Sequence, residues 1–123
     1  SVSLDPPMVL WSLSKNSNYF DAVMASDRYV INILSENNKP LSKKFSGKDR
    51  ILESEYTDIS QPEFPKIIDA IAHFNCEVSH RYEGGDHIII LGTVVDFKSL
   101  PSDEPLIFYA GEYRSINARQ SNQ

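Results

Sequence analysis

The distribution of apolar and polar residues along the chain predicts a domain made mostly of strands. Residues 8–13 are almost all apolar, which is typical of a strand buried on both faces, at the centre of a sheet or in a barrel wall. Residues 28–34 are rich in Tyr, Val and Ile and predict a second strand. Apolar side chains at helical spacing over 19–24, and the segment 40–45 ahead of Gly47, predict two short helices.

Two longer β-rich runs, 74–82 and 87–97, are separated by Glu83, Gly84, Gly85 and Asp86. They predict a hairpin, because glycine adopts the backbone angles of a tight turn without steric cost. We place Gly84 and Gly85 in the turn, so that Tyr82 faces His87.

Alternation along this hairpin divides its side chains between two faces. The face assigned to the core carries Phe74, Cys76, Val78, Leu91, Val95 and Phe97. The face assigned to solvent on the first strand carries His73, Asn75, Glu77, Ser79 and Arg81. Ile88 and Ile90 fall on the outer face of the second strand, which indicates that a helix or a partner subunit covers them.

The remaining segments complete a mainly β architecture. Residues 106–109 and 112–114, joined through Gly111, predict a final hairpin, and residues 48–65 are expected to be mostly connecting loop. Residues 1–116 are expected to form one domain, most simply a small barrel with short flanking helices, and the polar residues 117–123 a frayed tail.

Composition excludes several classes of protein. The chain has 123 residues and a net charge of -5, and its basic residues are scattered, which argues against nucleic-acid binding and against an anionic membrane surface. No apolar run approaches the ~20 residues that span a bilayer. A single cysteine, Cys76, excludes an internal disulfide, and a reducing, cytoplasmic compartment fits best.

The three histidines do not predict a metal site. His73 and His80 are an odd number of residues apart on one predicted strand, so they point to opposite faces, and no second cysteine or carboxylate cluster completes a ligand set. His87 follows the glycine turn at the mouth of a strand, where its side chain either reaches a ligand or lies in water.

A candidate anion site precedes the first helix. Lys15, Asn16, Ser17 and Asn18 combine an ammonium, a hydroxyl and the amide groups of a helix start, which together suit a phosphate. An ordinary helix N-cap at Ser17 or Asn18 explains the same residues.

Two further groups have a functional and a structural interpretation. Phe45, Ser46 and Gly47, after Lys43 and Lys44, suit a turn that closes on a flat or anionic ligand, or equally a helix end with its glycine cap. Tyr109 and Tyr113 either flank a ligand across the last hairpin or pack in the core. From these residues alone, the chemistry reaches no further than a small β-barrel with a candidate anion site.

Six blocks of sequence, taken in order, resemble the short-chain flavin reductase family, the reductase components of two-component flavin monooxygenases. The blocks are SVSLDPP at 1–7, KNSN at 15–18, VINILS at 30–35, LSKKFSG at 41–47, GDH at 85–87 with GTV at 92–94, and PLIFY at 105–109 with Gly111 and Tyr113. The resemblance extends to about Ser115. It implies an FMN-binding split β-barrel of Greek-key type, usually a homodimer, that uses NADH or NADPH to reduce FMN or FAD for a partner monooxygenase.

The resemblance also implies a role for each candidate site residue. The flavin isoalloxazine and ribityl groups would lie along Ser1, Val2 and Ser3, and the flavin phosphate would lie at Lys15, Asn16, Ser17 and Asn18. Phe45, Ser46 and Gly47 would close over the flavin, and His87 and Tyr113 would line the nicotinamide side. His87 would orient the reactants rather than act as a nucleophile.

Members of this family carry a first strand and a helix ahead of the SVS block, so we expect this chain to lack an N-terminal part. Two alternatives therefore stay open: a non-catalytic flavin-binding or electron-carrier protein with the same barrel, and an inactive fragment that only dimerises. A third, an oxidase of the pyridoxamine-phosphate type on a related barrel, agrees less well with the GDH and SVSLDPP blocks.

Overall fold

The computed structural model of the protein describes residues 2–47, 54–100 and 104–116, and within these ranges the chain is mainly β. The two α-helices are α1 (Phe20–Ala25) and α2 (Lys39–Ser46), with 3₁₀ turns at Glu36–Asn38 and Ser54–Tyr56. The strands are β1 (Ser3–Leu4), β2 (Pro7–Ser14), β3 (Arg28–Ile33), β4 (Thr57–Asp58), β5 (Lys66–Ile67), β6 (Ala72–Gly84), β7 (His87–Ser99), β8 (Ile107–Tyr109) and β9 (Glu112–Arg114).

The strands form one large sheet and two small ones. The large sheet has the order β1-β2-β7-β6-β3, and the pairs β4-β5 and β8-β9 are separate. Contacts divide the chain into two compact units, and the first consists of residues 1–31, 59–65 and 74–97. The second consists of residues 32–58, 66–73 and 98–123.

Both predicted helices and the predicted final hairpin are confirmed. Ala110 and Gly111, the two residues between β8 and β9, both have positive φ (51° and 79°), as a type I′ hairpin turn requires. Strand β3 begins at the predicted residue and ends one residue early. Neither α-helix of the described ranges, at six and eight residues, has the length or hydropathy of a membrane span.

The β6-β7 hairpin forms as predicted, but its turn is one residue later than expected. Gly85 and Asp86 connect the strands, and Gly85 has a φ of 73°, whereas Gly84 belongs to β6. A glycine with positive φ at the first turn position is the requirement of a type II′ turn.

The prediction for the core face of β7 is wrong. Ile88 and Ile90 are 5% and 1% exposed, while Val95 and Phe97 are about half exposed. Since residues 88–91 are all apolar, alternation does not tell which face is covered, and packing of α1 decides it. The prediction that a helix covers Ile88 and Ile90 is therefore confirmed.

The solvent face predicted for β6 is wrong at its first two positions. His73 and Asn75 are buried, and His73 Nε2 lies 2.9 Å from the carbonyl oxygen of Ile67. The N-terminal half of β6 lies inside the sheet and is covered on both faces, since Cys76 is also buried. Farther along, Glu77 is exposed as predicted.

Strand β2 lies inside the sheet, between β1 and β7, but it is not buried on both faces as predicted. Leu13 is buried opposite Ile88, whereas Leu10, opposite Leu91, is 53% exposed. Helix α1 packs on the face of Leu13, and among residues 2–47, 54–100 and 104–116 no comparable cover reaches Leu10.

The core of the first unit lies between this sheet and α1. Leu13, Ile88 and Ile90 form its buried centre, and the side chains packed around them are those of Trp11, Phe20, Val23, Met24, Tyr29 and Val78. Burial raises the pKa of the Tyr29 phenol to about 12 and that of the Cys76 thiol to about 11. The Cys76 thiol is therefore unreactive at neutral pH.

Gly92 gives the Tyr29 hydroxyl the space it occupies. A β-carbon added at Gly92 would overlap the Tyr29 Oη atom, and it would also lie 3.3 Å from the carbonyl oxygen of Glu77. A glycine is required at this position of β7 by close approach of a side chain, not by its backbone angles.

We predict that Gly92→Ala lowers the free energy of unfolding by about 1–3 kcal/mol, because the methyl group overpacks the core. In a Tyr29→Phe background the same substitution costs less, because the overlapping oxygen is gone. Urea unfolding of the two single variants and the double variant measures the coupling. Additive losses in the double variant would show that the hydroxyl is not the contact that excludes a side chain at position 92.

Candidate functional site

In the first unit, the predicted phosphate segment and the predicted nicotinamide residue lie at the same end of the β2-β7 pair. Ser14, the last residue of β2, is opposite His87, the first residue of β7. The pairing continues past the strand ends, since the Lys15 amide donates a 2.9 Å hydrogen bond to the carbonyl oxygen of Asp86. Residues 15–18 therefore begin directly beside the Gly85-Asp86 turn.

Local hydrogen bonds fix the backbone of this segment. Ser14 Oγ accepts from the Asn16 amide at 3.2 Å, and Ser17 Oγ accepts from the Tyr19 amide at 3.2 Å. Helix α1 begins only at Phe20, its N-cap is Tyr19, and it has no side-chain cap. The alternative prediction, an N-cap at Ser17 or Asn18, is therefore wrong.

The same hydrogen bonds show that the backbone amides of this segment, which were expected to bind an anion, are mostly occupied. The amides of Asn16, Ser17, Tyr19 and Phe20 already have acceptors within the segment. The donors best placed for a phosphate are therefore side chains, and those of Asn16 and Asn18 are exposed. The sequence identified the candidate residues but not which of their atoms are available.

Lys15 supplies a positive charge at this place, but not a free one. Its Nζ atom lies 2.6 Å from Glu83 Oε2, and both side chains are substantially exposed. An exposed pair of this kind contributes about 0–1 kcal/mol, so an anion of higher charge can compete with Glu83 for the ammonium.

Asp86 orients the imidazole of His87. His87 Nδ1 and Asp86 Oδ1 are 2.7 Å apart, and the His87 side chain is 44% exposed. The hydrogen bond from His87, and then its charge, hold the pKa of the Asp86 carboxyl below its usual value. Because Nδ1 is engaged, Nε2 is the ring nitrogen left for a ligand.

The start of the described chain lies along an apolar groove in the same unit. Ser3 pairs with Met8, and the Val2 amide donates to the Met8 carbonyl oxygen at 3.1 Å. The groove has a volume of about 420 Å³, and its wall includes Ser3, Leu4, Met8, Phe74, Val95 and Phe97. This groove is not predicted from the sequence, because the alternation pattern assigns Phe74 and Phe97 to a core. Ser1, another predicted flavin contact, lies outside the described residues.

In the second unit, the predicted FSG segment forms the end of α2. Phe45 is half-buried, and Ser46 and Gly47 are exposed. The Gly47 amide donates to the Lys44 carbonyl oxygen at 3.1 Å, and its φ of -91° is not left-handed. The structural alternative, a helix end with its glycine cap after Lys43 and Lys44, is therefore confirmed, although the cap is not left-handed. The predicted contact with flavin stays a prediction.

Tyr113, also in the second unit, is held against α2. Its hydroxyl lies 2.9 Å from Ser42 Oγ, and the Phe108 ring packs edge-on at 5.2 Å. The Lys39 and Lys43 ammonium groups lie 5.6 and 5.8 Å from the centre of the Tyr113 ring. Lys43 was predicted only as part of the helix end and Lys39 was not singled out, although a spacing of four residues places both on one helix face.

Tyr109 differs from Tyr113 in its exposure. It is 67% exposed, and the guanidinium carbon of Arg114 lies 5.7 Å from its ring.

Within the described part of the chain, no three His, Cys, Asp or Glu side chains come together in a way that could hold a metal ion.

Comparison with known proteins shows that the chain belongs to the flavin reductase family. Residues 1–117 match the family described as "Flavin reductase like domain". The fold class predicted from the sequence, a mainly β split barrel, is confirmed, because solved structures similar to the chain are flavin reductases of that fold.

Individual relatives are also named as reductases. The chain is 32% identical to "Flavin-dependent monooxygenase, reductase subunit HsaB" of Mycobacterium tuberculosis, over 98% of the chain and 66% of that protein. It is 34% identical to "FMN reductase (NADH) SmoA" of Agrobacterium fabrum, over 92% of the chain and 64% of that protein.

A solved structure of the NADH:FAD oxidoreductase SgcE6 of Streptomyces globisporus, in complex with NAD and FAD fragments, matches with a TM-score of 0.83 and 28% identity. That match covers 94% of this chain and 72% of the other.

The curated relatives that the chain matches first are longer than the chain. It spans 60–66% of their length.

We predict that His87→Ala raises the pKa of Asp86 toward its ordinary value, because the hydrogen bond and the charge that lower it are removed. A depressed carboxyl pKa stabilises the fold above the ordinary aspartate value, and this contribution is lost as the pH falls through the lowered value. NMR titration of the Asp86 carboxyl measures the pKa, and urea unfolding at several pH values measures the stability. His80→Ala is the matched control and leaves the titration unchanged; an Asp86 titration insensitive to His87→Ala would contradict the pairing.

Proposed function

We propose that this protein is an NAD(P)H-dependent flavin reductase, which transfers hydride from a nicotinamide to FMN or FAD and supplies the reduced flavin to a partner monooxygenase. One observation carries the proposal: in a chain of the flavin reductase family, residues 15–18 and His87 meet at one end of the β2-β7 pair. The names of the relatives, a monooxygenase reductase subunit and an FMN reductase using NADH, support it.

The residues at this end of the sheet fit a phosphate-bearing flavin. Asn16, Ser17 and Asn18 offer carboxamide and hydroxyl donors on an exposed segment, and Lys15 adds an ammonium. The apolar groove, with Ser3 at its wall, lies at the other end of the β2-β7 pair, about 20 Å along β2 from Ser14. A flavin ring at Ser3 is therefore proposed on the resemblance alone. We extend the proposal to Ser1, Val2, Phe45, Ser46 and Gly47 on the resemblance alone.

The redox chemistry is supplied by the bound cofactors, since the nicotinamide donates hydride and the flavin accepts it. The protein's residues therefore need only bind and orient. Asn16, Ser17 and Asn18 would hold the flavin phosphate and so fix the position of its ring. His87, kept in one orientation by Asp86, would position the nicotinamide. We extend the nicotinamide side to Tyr113 on the resemblance alone.

No side chain in this scheme acts as a nucleophile or as an obligatory proton donor. Replacing His87 is therefore expected to reduce the rate or the nicotinamide affinity without abolishing flavin binding. This distinguishes a positioning role from the role of a general acid, whose loss typically costs 10²–10⁴-fold in rate.

The proposed assembly and location follow the family and the composition. We propose a homodimer, which the resemblance implies. We also propose a cytoplasmic location, which agrees with the single buried thiol of Cys76.

We predict that the chain oxidises NADH in the presence of FMN or FAD, as measured by loss of NADH absorbance. Asn16→Ala with Ser17→Ala weakens FMN binding about tenfold, since two donors to a charged phosphate are lost. His87→Ala lowers kcat/KM for NADH and leaves the FMN Kd unchanged. Asn37→Ala, an exposed asparagine on the 3₁₀ turn at Glu36–Asn38, is the matched control and leaves both quantities unchanged.

The same assay is repeated on a version extended at its N-terminus to the length of its relatives. If FMN binds but neither version oxidises NADH, the protein is a flavin carrier and not a reductase. The absence of both binding and turnover in either version would contradict the proposal.

A further inference from the structure

Lys39 and Lys43 form an ammonium pair on one face of α2. Residues four apart on a helix are neighbours, and both side chains are exposed. Their Nζ atoms lie 5.6 and 5.8 Å from the centre of the same Tyr113 ring. Two positive charges therefore converge on one aromatic side chain.

Neither ammonium is neutralised by a carboxylate. Among the residues that the structure describes, Lys39 and Lys43 form no ion pair, and the nearby Glu112 is bound to Arg114 at 3.0 Å. Glu36 lies one turn before Lys39, but its Oε1 atom is buried and has no hydrogen-bond partner. In a chain with a net charge of -5, the two lysines give this helix face a local positive charge that suits an anion.

The aromatic ring that both lysines approach is held in place by other contacts. The Tyr113 hydroxyl bonds Ser42 Oγ at 2.9 Å, and the Phe108 ring, directly opposite in the β8-β9 register, packs against its edge. The ring quadrupole attracts both ammonium groups and partly offsets their repulsion. Contact with the ring restricts both lysine side chains before any ligand arrives, which lowers the entropic cost of binding an anion.

We propose that Lys39 and Lys43, beside Tyr113, bind a phosphate group of the pyridine nucleotide. The inference rests on the proposed function, in which Tyr113 lines the nicotinamide side. In a pyridine nucleotide the pyrophosphate is one ribose away from the nicotinamide ring, so a phosphate site adjoining Tyr113 is consistent with that placement. The flavin phosphate is already assigned to residues 15–18.

Two phosphates could supply the anion: the pyrophosphate, which NADH and NADPH share, and the 2′-phosphate, which only NADPH carries. Both bind an ammonium pair through charge-assisted hydrogen bonds. The pair is therefore a determinant of nucleotide affinity in the first case and of NADPH selectivity in the second.

The first test measures KM and kcat for NADH and for NADPH at saturating FMN, in wild type, Lys39→Gln, Lys43→Gln and the double variant. Because both lysines are exposed and Gln has a similar helix propensity, the variants should fold. We expect the double variant to raise KM about tenfold, with kcat within about twofold and with a weaker dependence of KM on salt. Lys98→Gln, an exposed lysine on β7, is the control for charge and leaves KM unchanged.

The two sources of the anion give different patterns. An equal rise in KM for both nucleotides identifies the pyrophosphate, and a rise for NADPH alone identifies the 2′-phosphate. An unchanged KM for both nucleotides, or a loss confined to the FMN Kd, would overturn the proposal.

The second test does not depend on turnover. ADP-ribose and its 2′-phosphate, which cannot donate hydride, are titrated into the protein while the NMR signals of the Tyr113 ring are followed. We expect saturable shifts in wild type that are lost in the double variant. If the shifts occur but the protein oxidises neither nucleotide, the phosphate site is supported and the reductase function is rejected. If the protein turns over without these shifts, and KM is unchanged in the double variant, only the phosphate site is rejected.

Discussion

The register between β2 and β7 is the constraint on which the rest of the first unit depends. Because Leu13 is opposite Ile88, and Trp11 is opposite Ile90, a single face of the strand pair is apolar enough to bury under α1. The same register sets Ser14 opposite His87 and brings residues 15–18 to the Gly85-Asp86 turn. A slip of one residue would expose the core and separate the candidate site at the same time.

This coupling explains how a small unit combines a packed core with a polar site. The hydrophobic cluster fixes the strands, and the strands fix the two segments that extend beyond them. Two local pairs, Asp86 with His87 and Lys15 with Glu83, then orient side chains that would otherwise move freely in water. The exposed pairs add little stability, so their main effect is to limit conformations at the site.

The sequence predicted the strands, helices and hairpins well, because apolar spacing and turn glycines are local signals. It did not predict which face of β7 is buried, since residues 88–91 are apolar on both faces and only packing against α1 decides between them. His73 and Asn75 were assigned to solvent, because alternation alone does not reveal that β6 is covered on both faces at its start. The residues of the candidate site were predicted from the resemblance. Only the structure shows which atoms of residues 16–18 are free to bind a ligand, and that two lysines lie beside Tyr113.

The central claim is that residues 15–18 and the turn carrying His87 form one binding site for flavin and nicotinamide. The most direct measurement is a titration of the isotope-labelled protein with FMN, and then with a non-reacting nicotinamide nucleotide, followed through the backbone amides. The account predicts FMN-dependent shifts at Asn16, Ser17 and Asn18, and further shifts at Asp86 and His87 when the nucleotide is added. Saturable FMN binding that leaves residues 15–18 unperturbed would contradict it.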